Sequence, residues 1–161
     1  DMVEVLGHTI YHKLDKMLVI MGIVALSVVM KHSGMTASIA SGLKTLTGSG
    51  FPFIAPFLGT IGTFVTGSDL SSNLLFGGIQ VGVAKGLSQN PALQSLLIAA
   101  NTAGATGGKM ISPQNIAIVT SVSAALNGKD GELLGKTIKY SVLYGLVLGV
   151  LTFVGAGMVI K

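Results

Sequence analysis

The chain has 161 residues, of which 50% are hydrophobic and only 10% are charged. Since a typical soluble domain has about 25% charged residues, this composition predicts an all-α membrane protein that crosses the bilayer several times. The ten basic residues are all lysine, and with six acids they give a net charge of +4 without forming a basic block. A nucleic-acid partner is therefore not expected. The absence of cysteine excludes disulfide bonds, thiolate metal sites and cysteine nucleophiles.

The first segment, residues 1–16, has the pattern of an amphipathic helix that leads into the membrane. Its polar positions are Glu4, His8, His12 and Asp15, which we interpret as a solvated face in preference to a metal site. Residues 17–30 are uncharged and form the first predicted span. Because the chain opens with aspartate and has no cleavable signal pattern, we expect it to be the C-terminal portion of a longer transporter.

Two broken-helix units follow. In residues 50–84 a helix is expected to start at Gly50-Phe51-Pro52, to fail near residues 66–69, and to resume until Lys85-Gly86. In residues 92–127 we expect a helix over 92–100 to be lost at residue 101. A second helix would then start at Ser112-Pro113, with the serine as its cap, and stop at Gly128. Residues 129–139 are predicted to be a charged linker, and residues 140–160, which are uncharged, to be the last span.

The two predicted breaks, residues 66–73 and 101–115, are rich in glycine, serine, threonine and asparagine. Backbone polar groups freed by a broken helix cannot face lipid, so such segments are buried in protein or line a wet cavity. Paired interruptions of this kind indicate the site of a secondary transporter. The candidate substrate-binding residues in the breaks are Ser71, Ser72, Asn73, Asn101, Thr102, Thr106, Gly107, Gly108, Lys109, Ser112 and Gln114.

Each break also contains one charged residue, Asp69 in the first and Lys109 in the second. Charges at bilayer depth are costly and usually functional. Lys109, with the free N–H groups of the helix start after Ser112, would bind a small carboxylate. Asp69 would either carry a proton or pair with Lys109. The alternative is that both residues lie at loop ends in headgroup water.

Two blocks of sequence resemble the lactate permease family. The first is Gly62-Thr63-Phe64-Val65-Thr66-Gly67-Ser68-Asp69 with Ser71-Ser72-Asn73, Phe76-Gly77-Gly78 and Gln80. The second is Ala100-Asn101-Thr102, Gly104-Ala105-Thr106 and Gly108-Lys109-Met110-Ile111-Ser112-Pro113-Gln114. The resemblance implies a multi-pass carrier of the cytoplasmic membrane that imports lactate, or glycolate, together with a proton. It implies no cofactor and no metal, and its partners would be the substrate, the proton, the lipid bilayer and the rest of the same transporter.

Two other functions stay open at this point. A sodium- or proton-coupled carrier of dicarboxylates or citrate could have the same broken-helix design, although a single lysine in the breaks favours a monoanion. A non-transporting membrane subunit or a membrane-embedded enzyme would need clustered acids or histidines at membrane depth, and only Asp69 qualifies. The lysine-rich residues 129–139 predict a cytoplasmic location for that segment, with Lys161 outside.

Overall fold

The computed structural model describes residues 18–123, 126 and 128–160, which form seven α-helices and no strand. These helices are α1 (Leu18–His32), α2 (Met35–Thr47), α3 (Phe51–Thr66), α4 (Asp69–Leu87), α5 (Pro91–Lys109), α6 (Pro113–Val122) and α7 (Asp130–Ile160). The predicted lead-in over residues 1–16 and the position of Lys161 lie outside the described residues. The all-α prediction is confirmed for the part described.

Helices α3 and α4 form an antiparallel hairpin. Near its tip the Ser72 hydroxyl donates to the Gly59 carbonyl oxygen at 2.9 Å, and further along the Gln80 amide donates to the Ala55 carbonyl oxygen at 2.9 Å. Glycine allows a close approach to α5, since a Cβ atom on Gly104 would overlap the Pro56 carbonyl group. The contacts of α5 with both arms place it parallel to α3 and antiparallel to α4.

Helix α7 packs antiparallel along α5 and α6 together. Its Ser141 hydroxyl donates to the Gly107 carbonyl oxygen, and near its other end the Val159 carbonyl accepts from the Asn90 amide. Thr120 of α6 contacts Asp130 in the first turn of α7. The 31 residues of α7 span about 46 Å at 1.5 Å per residue. Helices α5 and α6 therefore lie one after the other along the length of α7.

Helices α1 and α2 run parallel to α4 on its other side. The Ser27 hydroxyl donates to the Leu74 carbonyl oxygen at 2.7 Å, and the Ala40 side chain lies against Gly82. Since α3 is antiparallel to α4, the chain reverses between α2 and α3 at the short 3₁₀ turn Gly48–Gly50. The buried apolar core lies between α3, α4 and α5, around Phe51, Ile79, Val83, Leu93 and Leu97.

Among the described residues, two helical segments are long and apolar enough to cross a membrane, Met35–Thr66 and Asp130–Ile160. The first contains the reversal at Gly48–Gly50, whereas α7 is continuous. Because the segment Met35–Thr66 reverses direction at Gly48–Gly50, it does not cross in one piece, and it is the length and hydropathy of α7 that agree with a membrane protein.

Several predicted helix boundaries match the structure. Helix α3 starts at Phe51 with proline in its first turn, and it ends at Thr66. Helix α4 ends at Leu87, close to the predicted end at Lys85-Gly86, and α6 starts at Pro113. At both ends of α3 and at the start of α6, proline or glycine acts on the backbone of its own turn, whereas α4 ends before the extended residue Ser88.

Three predicted boundaries are wrong. The helix expected to be lost at residue 101 continues to Lys109, because its glycines pack against α3 and its Asn101 amide is hydrogen-bonded inside the bundle. Helix α6 ends at Val122, well before Gly128. The predicted charged linker over 129–139 is mostly helix from Asp130 onward, since acids suit a helix start and Glu132 pairs with Lys136 one turn later.

Candidate functional site

The tip of the α3–α4 hairpin is a reversal of only two residues, Gly67 and Ser68. Gly67 has φ of +70° and its N–H donates to the Thr63 carbonyl oxygen at 2.7 Å, which closes the end of α3. The Ser68 hydroxyl accepts from the Ser71 N–H at the start of α4. These two local signals place Asp69 in the first turn of α4.

An ion pair joins this tip to the end of α5. Lys109 Nζ lies 2.8 Å from Asp69 Oδ2, and the two side chains are 48% and 29% exposed. The second carboxylate oxygen, Oδ1, is buried and has no hydrogen-bond partner among the described residues. The acid is at a helix start and the lysine at a helix end, where the helix dipoles favour each charge. The pairing considered from the sequence is therefore present, and it links the two predicted breaks.

A cluster of amides continues from this pair along the interface of α4 and α5. The Asn73 side-chain oxygen accepts from the Asn101 amide at 2.8 Å and from the Thr102 hydroxyl at 3.1 Å. The Gln80 amide donates to the Asn101 side-chain oxygen at 3.1 Å. Asn101 and Gln80 are fully buried, and Gln80 Oε1 has no partner in the described structure. The hairpin and α5 are thus joined by a row of polar side chains, in which the Gln80 side-chain oxygen accepts no hydrogen bond from the described residues.

The start of α6 lies over the hairpin tip. The Asn115 amide donates to the Gly67 carbonyl oxygen at 3.3 Å, and Gln114 lies so close to Gly67 that a Cβ atom there would overlap its side-chain oxygen. Ser112 precedes α6 and is fully buried, but its hydroxyl makes no cap hydrogen bond. The prediction that its side chain caps α6 is wrong. This hydroxyl has no hydrogen-bond partner among the described residues.

A cavity of about 350 Å³ lies beside the tip. Its lining comprises Thr66, Gly67, Ser68, Ser71 and Gln114, with Val19 and Ile20 from α1. Asp69 and Lys109 do not line it, so the ion pair and the cavity occupy different sides of the hairpin tip. Within the described structure, Ser71 and Gln114 are the predicted site residues that border open space there.

The remaining predicted residues contribute mainly to helix packing. Ser72 is buried and donates to α3, Gly107 accepts from Ser141 of α7, and Gly108 lies against the Thr60 carbonyl. Thr106 is exposed. The prediction of site residues missed Asn115, which contacts the tip, and Gln80, which joins α4 to α3 and α5 further along the hairpin. The sequence signal for Gln80 is that it is a single glutamine in the otherwise apolar residues 79–84.

Comparison with known proteins identifies the family of the chain. The sequence model of the family described as L-lactate permease matches residues 1–159. The chain belongs to the L-lactate permease family. Relatives include the glycolate permease GlcA of Escherichia coli, with 42% identity over 83% of the chain, and the L-lactate permease of Bacillus subtilis, with 42% identity over 84% of it.

The L-lactate permease of Streptococcus iniae shares 53% identity over 51% of this chain and 18% of its own length. The matched region is 23% of the length of the Escherichia coli and Bacillus subtilis permeases, so the chain spans about a quarter of these relatives. No solved structure matches the chain. The family resemblance seen in the two sequence blocks is confirmed.

Proposed function

We propose that the chain is part of a secondary transporter that imports lactate, and related 2-hydroxymonocarboxylates such as glycolate, together with a proton. The main support is the family itself, whose relatives are named for lactate and glycolate. The geometry adds a specific reason. One cation, Lys109, lies where the ends of α3 and α5 meet the starts of α4 and α6, and its partner is a single acid.

Lys109 is the proposed anchor of the substrate carboxylate. Its side chain is 48% exposed although its ammonium group is paired, so an incoming anion can approach it. The first N–H groups of α6 and the unpartnered Ser112 hydroxyl are further donors close by in the sequence, and helix starts favour anions. One lysine matches the single charge of a monocarboxylate better than the two or three charges of a dicarboxylate or citrate.

Asp69 is the proposed proton carrier. A carboxylate held by lysine keeps its charge, whereas one that loses its cation binds a proton more readily. If the substrate carboxylate replaces Asp69 on Lys109, the acid is left with two unpaired oxygens, one of which is already buried. Lactate binding would then favour proton binding, and the two would move together with no change in the net charge of the site.

The same proposal includes a multi-pass arrangement in the cytoplasmic membrane with two interrupted helical units. The α3–α4 hairpin reverses at Gly67 and Ser68, and the α5–α6 pair is interrupted at residues 110–112. Each interruption is much shorter than the sequence predicted. Across them the Asn115 amide donates to the Gly67 carbonyl oxygen and Lys109 pairs with Asp69, which satisfies polar groups that helix breaks would leave in an apolar environment.

We further propose that the start of α7 faces the cytoplasm. Lys129, Lys136 and Lys139 lie at that end, and a lysine excess marks cytoplasmic segments. Lys44 and Lys85, in the last turns of α2 and α4, lie at the opposite end of the bundle. The described residues thus place three lysines near the start of α7 and two at the opposite end.

The experiment is uptake of labelled lactate by vesicles that contain the full-length transporter, with and without an imposed pH gradient. Accumulation driven by the gradient and inhibited by excess unlabelled glycolate supports the proposal. Inhibition by succinate or citrate but not by glycolate would support the dicarboxylate carrier instead. If labelled lactate does not enter under either condition, a non-transporting subunit becomes the better interpretation.

A further inference from the structure

A second cavity, of about 510 Å³, lies between α1, α2 and α4. Its polar lining residues are Ser27, Lys31, Thr36 and Lys85, and the rest of its wall consists of apolar residues and glycine. It shares no lining residue with the cavity at the hairpin tip. It is therefore separate from the cavity at the hairpin tip, and it has no role in the proposed transport.

The cavity lies beside an interruption between α1 and α2. Gly34, with φ of +78°, separates the end of α1 from the start of α2. Beyond it, α2 lies directly on α4, where Gly78 and Gly82 leave room for Thr36 and Ala40. The last turn of α1 thus places Lys31 beside the middle of α4, and Lys85 lies two turns further along α4. The two lysines therefore line the same cavity at different heights along α4.

The charges around this cavity are unbalanced. No acidic residue occurs between Asp15 and Asp69 in the sequence, and Asp69 is paired with Lys109 at the far end of α4. Neither Lys31 nor Lys85 has an ion-pair partner among the described residues. Lys44 adds a third positive charge, because its side chain lies against Gly86.

The helix dipole accounts for the position of each lysine taken alone, because the last turn of a helix favours a cation. It does not explain why two lysines from different helices border one space with no counter-ion among the described residues. An anion in that space would balance them.

We propose that the cavity lined by Lys31 and Lys85 binds the phosphate of an anionic phospholipid headgroup. Lysine binds phosphate as a point charge, and basic pockets between membrane helices bind anionic headgroups. The Thr36 hydroxyl supplies a neutral donor at the same wall. Large apolar side chains on α1, such as Val24 and Val28, are exposed in the described structure and suit acyl chains. A free phosphate ion has the same headgroup chemistry, so the test must separate the two sources.

The test uses the full-length transporter and its Lys31→Gln/Lys85→Gln variant in nanodiscs of phosphatidylcholine with increasing phosphatidylglycerol. The measurements are the number of phosphatidylglycerol molecules retained in native mass spectrometry and the lipid-dependent rise in Tm. At roughly fivefold in affinity per lysine near a membrane surface, the double variant should bind this lipid about 25-fold more weakly. Lys136→Gln is the matched control, because it removes one exposed lysine elsewhere and should retain the lipid.

Charge-conserving Lys31→Arg/Lys85→Arg should restore retention, and Lys85→Gln alone gives a smaller, measurable loss if the double variant does not insert. Equal retention by the double variant and the control would overturn the proposal. A Lys31-dependent rise in Tm with inorganic phosphate, without one for phosphatidylglycerol, would overturn the lipid assignment and give the site to a soluble anion. Lactate uptake is measured in parallel, so that failure of the proposed transport is distinguished from failure of this site.

Discussion

Replacing Lys109 with alanine removes the cation that lies 2.8 Å from Asp69 and that we propose binds the substrate carboxylate. A hydrogen bond to a charged group contributes about 1.5–3 kcal/mol. Because the lysine is 48% exposed, solvent screening places its contribution near the lower limit, at about 1.5–2 kcal/mol. Lactate should therefore bind about 10–30-fold more weakly, and uptake should fall steeply while the protein still inserts.

The assay is equilibrium binding of labelled lactate to purified full-length transporter, together with uptake by vesicles. Lys136→Ala is the control, since Lys136 is 71% exposed and pairs only with Glu132 among the described residues. Its binding should match that of the unaltered protein. Lys109→Arg should recover little, because a planar guanidinium does not replace a compact ammonium group beside the glycine-rich end of α5. A lactate Kd within about twofold of the unaltered value in Lys109→Ala would remove Lys109 from the site.

Three further changes test other parts of the structure. Asp69→Asn should abolish lactate accumulation driven by a pH gradient but retain some lactate exchange. Continued accumulation would exclude Asp69 as the proton carrier. Loss of both accumulation and exchange would indicate that Asp69 is a structural or binding residue. Gly104→Ala should destabilise the protein by about 1–3 kcal/mol, measured as a lower Tm in detergent, because its Cβ would overlap the Pro56 carbonyl. The control, Gly157→Ala, has open space around it, and an equal Tm for both would contradict the packing. A cysteine at Gly131 should resist an impermeant thiol reagent in intact cells, and labelling there would reverse the proposed orientation.

The polar residues of the candidate site can be picked out from the sequence, but their grouping cannot. Asp69, Asn73, Asn101 and Lys109 were selected because they are polar residues in apolar surroundings. Their arrangement into an ion pair and a separate amide cluster depends on α4 and α5 running antiparallel. Gln80 was passed over as a site residue because the stretch around it is otherwise apolar, although in the structure it donates to both α3 and α5.

By itself the sequence determined the all-α class, the family, and those helix ends where proline or glycine acts within its own turn, as at Phe51, Gly67 and Pro113. Only the tertiary structure decided that residues 101–109 continue α5. Glycine weakens an isolated helix, yet in this bundle Gly104 and Gly108 are the points where α5 meets the backbone of α3. Glycine therefore ends α3 at Gly67, whereas in α5 it allows the helix to pack closely against α3. The difference is that a neighbouring helix packs against the glycines of α5.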